Sequence, residues 1–464
     1  MKRVLACNVE HGMFSKTRHS RNKINSIWRR AKLLAFACIA FSSASLCLAA
    51  DATTPTTISF PNAVDMALQH SGVMAVAAIN QWRAQAAYQE LKANYIPQLT
   101  VGSALGYSYG FPLTLEGSAP SVVNFNSLQS LFNISLQKYL KAAKIDWQAT
   151  SLDVRDKRDT VILDTALTYA QLNQISEKLS TLAGAQSAAD KAQSVSEQRF
   201  QEGVDSKLEV TKSQLVAARI RLRIAESQGQ ADVLRQHLAS LIGIPADSIQ
   251  TVPSSMPALP DISQTDDLPA RAVENSLAVK QAQEKTASAK LRAEGEQKAT
   301  KMPVADFASQ YSYLAKFNNY DNYFKNYTPN NLAVGLNVRF PFFNAVQKAK
   351  AQEAKADAML ATKSEDSVKE KVREDALQLQ RSLRQLSAAR DVAKLEWEVS
   401  QGDLDAVQGR VQNGQANVRD EQNAELDTHD KHAAYLDAEF ELARGELQLL
   451  RLTGELEDWA IPSH

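Results

Sequence analysis

With 464 residues, 44% of them hydrophobic and 22% charged, the chain is long enough for a large core or several domains. Its 52 basic and 52 acidic residues cancel, but the first 50 residues hold nine of the bases and one of the acids, so the remainder is mildly acidic and nucleic acid is an improbable partner. All three cysteines (Cys7, Cys38 and Cys47) lie in that same leading stretch, which leaves the rest of the chain without a disulfide framework, a thiolate metal site or a Cys nucleophile.

The N-terminus has the three-part layout of an export signal over residues 1–50. A basic region ends in Arg29, Arg30 and Lys32, an apolar run follows from Leu33 to Phe41, and small residues lead to cleavage after Ala49 or Ala50. The apolar run is far short of the roughly 20 residues a membrane-spanning helix needs. The long basic region admits Met13 as an alternative start. Cys38 and Cys47 are candidate lipid-anchor sites, but neither follows a convincing lipobox.

A helix is expected from Asn62 to Asn94, stopped by Pro97. From Gln98 to Phe111 apolar and small or polar residues alternate, which predicts a strand, and Leu128–Gln137 alternates again. From Lys141 to Glu202 there is no proline and a single glycine, and apolar positions recur every three or four residues; this predicts a helix of about 90 Å at ~1.5 Å per residue. Beyond Gly203 a return helix carries the heptad seam Leu208, Thr211, Leu215, Ala218, Leu222 and Ala225, ending at Gly243 and Pro245. Residues 251–268 are a proline-rich linker.

The order then comes round again. A helix is expected from Pro269 to Lys301, a strand from Val304 to Leu314 with Tyr311-Ser312-Tyr313 echoing Tyr107-Ser108-Tyr109, and a strand from Leu332 to Phe340. A proline-free helix follows from Ala345 to Asn413, and its partner has the seam Leu426, His429, Ala433, Leu436, Phe440, Ala443, Leu447 and Leu450. Arg199-Phe200-Gln201-Glu202-Gly203 returns as Arg410-Val411-Gln412-Asn413-Gly414, and the same offset of 211 relates Leu238 to Leu449 and Gly243 to Gly454. Each tip glycine is placed to take φ > 0 and turn the chain back. The chain therefore divides into two repeats, 58–250 and 269–460.

Four ten-residue strands, apolar on one face, match the lipid-facing and lumen-facing alternation of a membrane barrel. A single half-buried soluble strand gives the same alternation. Export and the length of the neighbouring Ala-rich helices favour the membrane. Four strands cannot close a barrel, and open edges in lipid would leave backbone groups unpaired, so several copies must pool their strands.

In this combination and order, the chain resembles the TolC-like outer-membrane efflux protein family. The carrying residues are Tyr95-Ile96-Pro97-Gln98-Leu99 before the first strand, Leu336-Asn337-Val338-Arg339-Phe340-Pro341-Phe342-Phe343 at the last strand-to-helix join, Arg199–Val204 at the hairpin tip and Leu241-Ile242-Gly243 at a helix end. The resemblance implies an α+β membrane protein: a homotrimer with a twelve-stranded barrel in the outer membrane of a Gram-negative bacterium and a periplasmic tunnel of coiled-coil hairpins. Such proteins are exit ducts for small molecules or secreted polypeptides. Their partners are a periplasmic adaptor, an inner-membrane transporter and outer-membrane lipid.

By the same resemblance the tips at Gly203, Val204, Gly414 and Gln415 dock the adaptor. Asp420 falls where the family lines its periplasmic aperture with an aspartate, Glu209 is its counterpart in the first hairpin, and Asn423 stands where the family has a second aspartate. Two departures are visible. The join expected at Gln137-Lys138-Tyr139-Leu140 lacks the proline seen at Pro341, and the second tip, Gly414–Arg419, is more polar than the family's usual tip. The ordinary reading of Glu209 and Asp420 is that acids early in a helix complement its dipole. His429 and His432 have a spacing that can bind metal, but His429 occupies the seam, where a packed imidazole is expected. No catalytic motif, cofactor site or metal site is expected, so the chain is not read as an enzyme. A periplasmic coiled-coil adaptor or structural protein is the alternative; it shares the hairpins but has no need of four aromatic-rich strands.

Overall fold

The computed structural model describes residues 56–103, 121–260, 267–314 and 328–461. The signal segment, Tyr107–Tyr109 and the loop that leads to the last strand lie outside them. Strand β1 (Thr56–Ile58) is followed by helices α1 (Phe60–His70) and α2 (Gly72–Ala93), strands β2 (Gln98–Gly102) and β3 (Ser121–Asn133), and helices α3 (Ile134–Gln201) and α4 (Lys207–Ile242). After β4 (Ile249–Thr251) come α5 (Leu268–Asn275), α6 (Leu277–Ala299), β5 (Val304–Leu314), β6 (Asn330–Arg339), α7 (Ala345–Gln412), α8 (Val418–Thr453) and the short α9 (Leu456–Ala460). Helices α3 and α7 each span 68 residues, and α4 and α8 each span 36. No described helix is long and apolar enough to cross a membrane.

Three boundaries differ from the sequence expectation, and polar caps explain each. The helix expected over Asn62–Asn94 is two helices, because Ser71 takes an extended ψ of 119° and its hydroxyl accepts from Met74 N. The helix expected over Pro269–Lys301 breaks in the same way at Ser276, which caps Val279 N. The strand expected over Leu128–Gln137 starts earlier and stops at Asn133, whose side chain accepts from Leu136 N at 2.9 Å and starts α3. A side-chain acceptor at the N-cap satisfies an orphan helix donor, which outweighs continued alternation at Ile134 and Leu136. The join therefore lies at Ser130-Leu131-Phe132-Asn133, the counterpart of Pro341-Phe342-Phe343-Asn344. Asn344 caps Gln347 N at 3.0 Å in the same way, and a β-bulge at Ser130/Phe132 occupies the place of the proline.

The four long strands form one antiparallel sheet in the order β2-β3-β5-β6, and β1 pairs in parallel with β4. The register gives the large sheet two chemically distinct faces. Val101, Phe125, Tyr311 and Leu332 lie in one cross-strand row, and Thr100, Asn126, Gln310 and Ala333 form the next row on the opposite face. The helices continue the same lateral order. Beside the sheet the neighbours run α2-α3-α6-α7; towards the tips they run α4-α3-α8-α7. Among the described residues the chain is an open array at every level, with β2, α2 and α4 along one edge and β6 and α7 along the other.

This arrangement overturns half of the predicted coiled-coil packing. The α8 seam does face inward, with Leu436, Leu447 and Leu450 buried. The α4 seam does not. Leu208, Leu215 and Leu222 point outward, and Ser213, Ala217 and Ile220 pack the hairpin instead. Helix α8 has a neighbour on each side, whereas α4 is an edge helix and keeps a second apolar face uncovered. Between the arrays sits the main core. There Phe60 packs edge-on against Tyr169 at 5.6 Å, and the Tyr169 hydroxyl donates to the Ile58 carbonyl (2.9 Å) and accepts from Val252 N (2.8 Å).

Candidate aperture and hairpin tips

Each hairpin turns on a glycine in the left-handed region, Gly203 at φ 76° and Gly414 at φ 71°. At the first tip Gly203 N donates to Phe200 O (3.0 Å) and Val204 N to Arg199 O (2.8 Å). At the second, Gly414 N donates to Val411 O (3.0 Å) and Gln415 N to Arg410 O (2.8 Å). These paired bonds are the Schellman arrangement, which satisfies the last carbonyls of a helix and needs a residue free of the Cβ penalty at positive φ. Nothing lies within 4 Å of where a Cβ would stand on either glycine, so the requirement is conformational rather than steric.

The two tips present different chemistry. The first exposes Phe200, Val204 and Leu208, and is braced by Arg199, whose Nε donates to Asp205 Oδ2 at 3.0 Å. The second exposes Gly414, Gln415 and Asn417. Beyond each tip the return helix opens with a polar cap. Ser206 Oγ accepts from Glu209 N at the start of α4, and Asn417 with Asp420 forms a capping box at the start of α8, Asp420 Oδ2 accepting from Asn417 N at 3.1 Å. Both predicted aperture acids thus sit in a first helical turn, where the dipole favours negative charge.

The structure places Glu209 against two cations. Lys212 Nζ donates to Glu209 Oε1 at 3.0 Å, and Arg419 Nη1 of the second hairpin lies 3.5 Å from the same oxygen. Asp420 and Asn423 are both exposed, and Asn423 lies one turn further along α8. The link between the tips therefore runs from Glu209 to Arg419. The sequence reading missed that role, although the residue stands directly before the predicted Asp420.

Residues 63–244 match the family model described as outer membrane efflux protein. Solved structures match over most of the chain. The outer-membrane channel OprN is 17% identical with a TM-score of 0.71, over 87% of this chain and 91% of that one. VceC from Vibrio cholerae is 17% identical with a TM-score of 0.69, over 85% and 96%. The CmeC outer membrane channel of Campylobacter jejuni is 13% identical with a TM-score of 0.71, over 88% and 90%. In fold the chain is similar to these outer-membrane channels. No curated protein matches by sequence.

Within the second hairpin the two histidines of α8 face different neighbours. His429 lies in the seam with its Nε2 4.0 Å from Glu425 Oε1; burial pushes His429 down and, with the nearby charge of Glu421, Glu425 up. His432 packs on the Trp397 ring at 4.4 Å and approaches Glu177 of α3 at 4.0 Å. One imidazole belongs to the apolar layer and the other to the contact between hairpins.

Proposed function

We propose that this chain is the outer-membrane duct of an export system, working as a homotrimer. Three copies pool their sheets into a twelve-stranded barrel and their hairpins into a periplasmic tunnel. The observation that carries this reading is the open array. Large exposed apolar side chains gather on the elements along its two edges, with Val76, Ile79 and Trp82 on α2, Leu215 and Leu222 on α4, and Val392, Leu395 and Val399 on α7. Such an array buries its flanks by head-to-tail contact between copies, and a closed ring leaves no strand edge in lipid. The apolar rows of the sheet then face lipid, and the rows holding Thr100, Asn126 and Gln310 face the lumen.

In this reading residues 1–50 are the export signal, 58–250 and 269–460 are the two repeats, and 251–268 is the linker. The equal helix lengths and the constant offset of 211 support the duplication. The tips at Gly203, Val204, Gly414 and Gln415 meet a periplasmic adaptor that joins the duct to an inner-membrane transporter. Glu209, Asp420 and Asn423 line the aperture, with Arg419 holding the second hairpin to Glu209 in the closed state. A periplasmic adaptor is disfavoured, because it has no use for a four-stranded sheet with one apolar face. Chemical cross-linking of the purified chain in detergent tests the assembly. A ladder ending at three protomers is expected; a stable, monodisperse monomer rules the duct out.

A further inference from the structure

A groove of about 760 Å³ opens in the helical wall where α8 ends and α6 begins, both helices lying between α3 and α7. Its floor is apolar: Leu163 of α3, Val372 and Leu379 of α7 and Leu452 of α8. A groove of this size that sets an apolar strip beside polar and charged groups has the general character of a site for an amphipathic small molecule. One of those polar groups is unusual. Asp159, one turn before Leu163 on the same face of α3, lines the groove and is only 7% exposed.

Its neighbour Asp156 is engaged by Arg451, whose Nη2 lies 3.3 Å from Asp156 Oδ1 and donates to Thr160 Oγ1 at 2.9 Å. Asp159 has no such partner. Among the described residues its carboxylate makes no hydrogen bond or close ion pair, and Arg451 and Arg155 act on it only through their longer-range field. Burial, reinforced by the charges of Glu457 and Asp156, pushes this carboxyl up to about 6. An ionised acid in such a place is a standing cost to the fold. Neither the tips nor the aperture uses it.

We propose that the groove binds an amphipathic monocation, with Asp159 as the counter-ion to its charge and Leu163, Val372, Leu379 and Leu452 as the surface for its apolar body. Exposed Asp375 at the mouth adds attraction on entry, and exposed Lys371 beside it disfavours a dication. The proposal does not depend on the duct reading.

The test titrates the purified full-length chain, in non-ionic detergent, with ethidium as an aromatic monocation and with neutral phenanthridine, following fluorescence anisotropy and calorimetry. Saturable ethidium binding is expected, with phenanthridine weaker by roughly tenfold or more. Asp159→Asn, which keeps the shape of the side chain, should weaken ethidium by about the same factor while leaving phenanthridine unchanged. Ala278→Trp, at an exposed position on the mouth, should block both probes without touching the floor. Ethidium affinity in the wild type should fall between about pH 8 and about pH 5 as the acid takes up a proton. Absence of saturable binding, or equal ethidium affinity in the wild type and both variants, overturns the proposal.

Discussion

Leu222 and Ile220 are two residues apart on α4 and face opposite ways, and substituting each with Gln separates the packing within a protomer from the packing between protomers. Leu222 is 59% exposed in the isolated chain, whereas Ile220 is 3% exposed inside the hairpin. Fully burying a Leu or Ile side chain contributes about 1.5–3 kcal/mol. Ile220→Gln forfeits that burial and leaves an amide in an apolar layer, a loss of about 3 kcal/mol or more within each protomer. Leu222→Gln forfeits little within the protomer. In a closed ring the exposed share of Leu222 becomes buried, so the variant loses about 1–2 kcal/mol at each of the seams between copies. Circular dichroism melts of the dissociated protomer, together with cross-linking in detergent, read the two effects apart. Ile220→Gln should lower the helical melting temperature; Leu222→Gln should leave it near the wild type and shift the population from trimer to monomer. If Leu222→Gln unfolds the hairpin as severely as Ile220→Gln, the assignment of the two faces of α4 is refuted.

Gly203→Val meets no neighbouring atom but must hold a β-branched residue at φ 76°, so it should cost about 1–2 kcal/mol locally, keep normal membrane levels and impair export of a dye; unchanged export counts against docking at the tip. Asp420→Ala and Glu209→Ala should each reduce cation preference and block by divalent cations in planar-bilayer conductance, and retention of both properties in both variants identifies these acids as helix-start acids alone. Asp159→Asn should change stability with a definite sign. The folded carboxyl at about 6 lies above the usual value of 3.8, so stability is greatest when the group is protonated and falls as pH rises through about 6. The Asn variant should therefore be more stable than wild type by on the order of 2 kcal/mol near pH 8 and show no gain near pH 4; equal effects at both pH values would falsify the assignment of a buried, unpaired acid.

Much of the architecture was legible in the sequence because it is written in local signals. Gly203 and Gly414 mark the tips, since few other residues accept the φ that a Schellman turn requires. The long proline-free stretches have to be helices, and period-two alternation over Val304–Leu314 and Leu332–Phe340 has to be strand. The offset of 211 relates Gly203 to Gly414, and both stand at positive φ. The polar cap at Asn133 was also present in the sequence, but alternation masked it, because Phe132, Ile134 and Leu136 continue the two-residue period through the helix start.

Only the tertiary structure decided which apolar faces are covered. A heptad seam states that a helix has an apolar stripe and is silent about which neighbour meets it. The α8 stripe is buried because α8 lies between α3 and α7, while the similar α4 stripe is left bare because α4 stands at the edge of the array. The same limit hid Arg419 beside Glu209, and Asp159 against residues of α7 and α8 some two hundred to three hundred positions away in the chain. Conformational preference is settled among a few neighbouring residues. Burial and charge are settled by whatever the fold brings alongside, which no local pattern records.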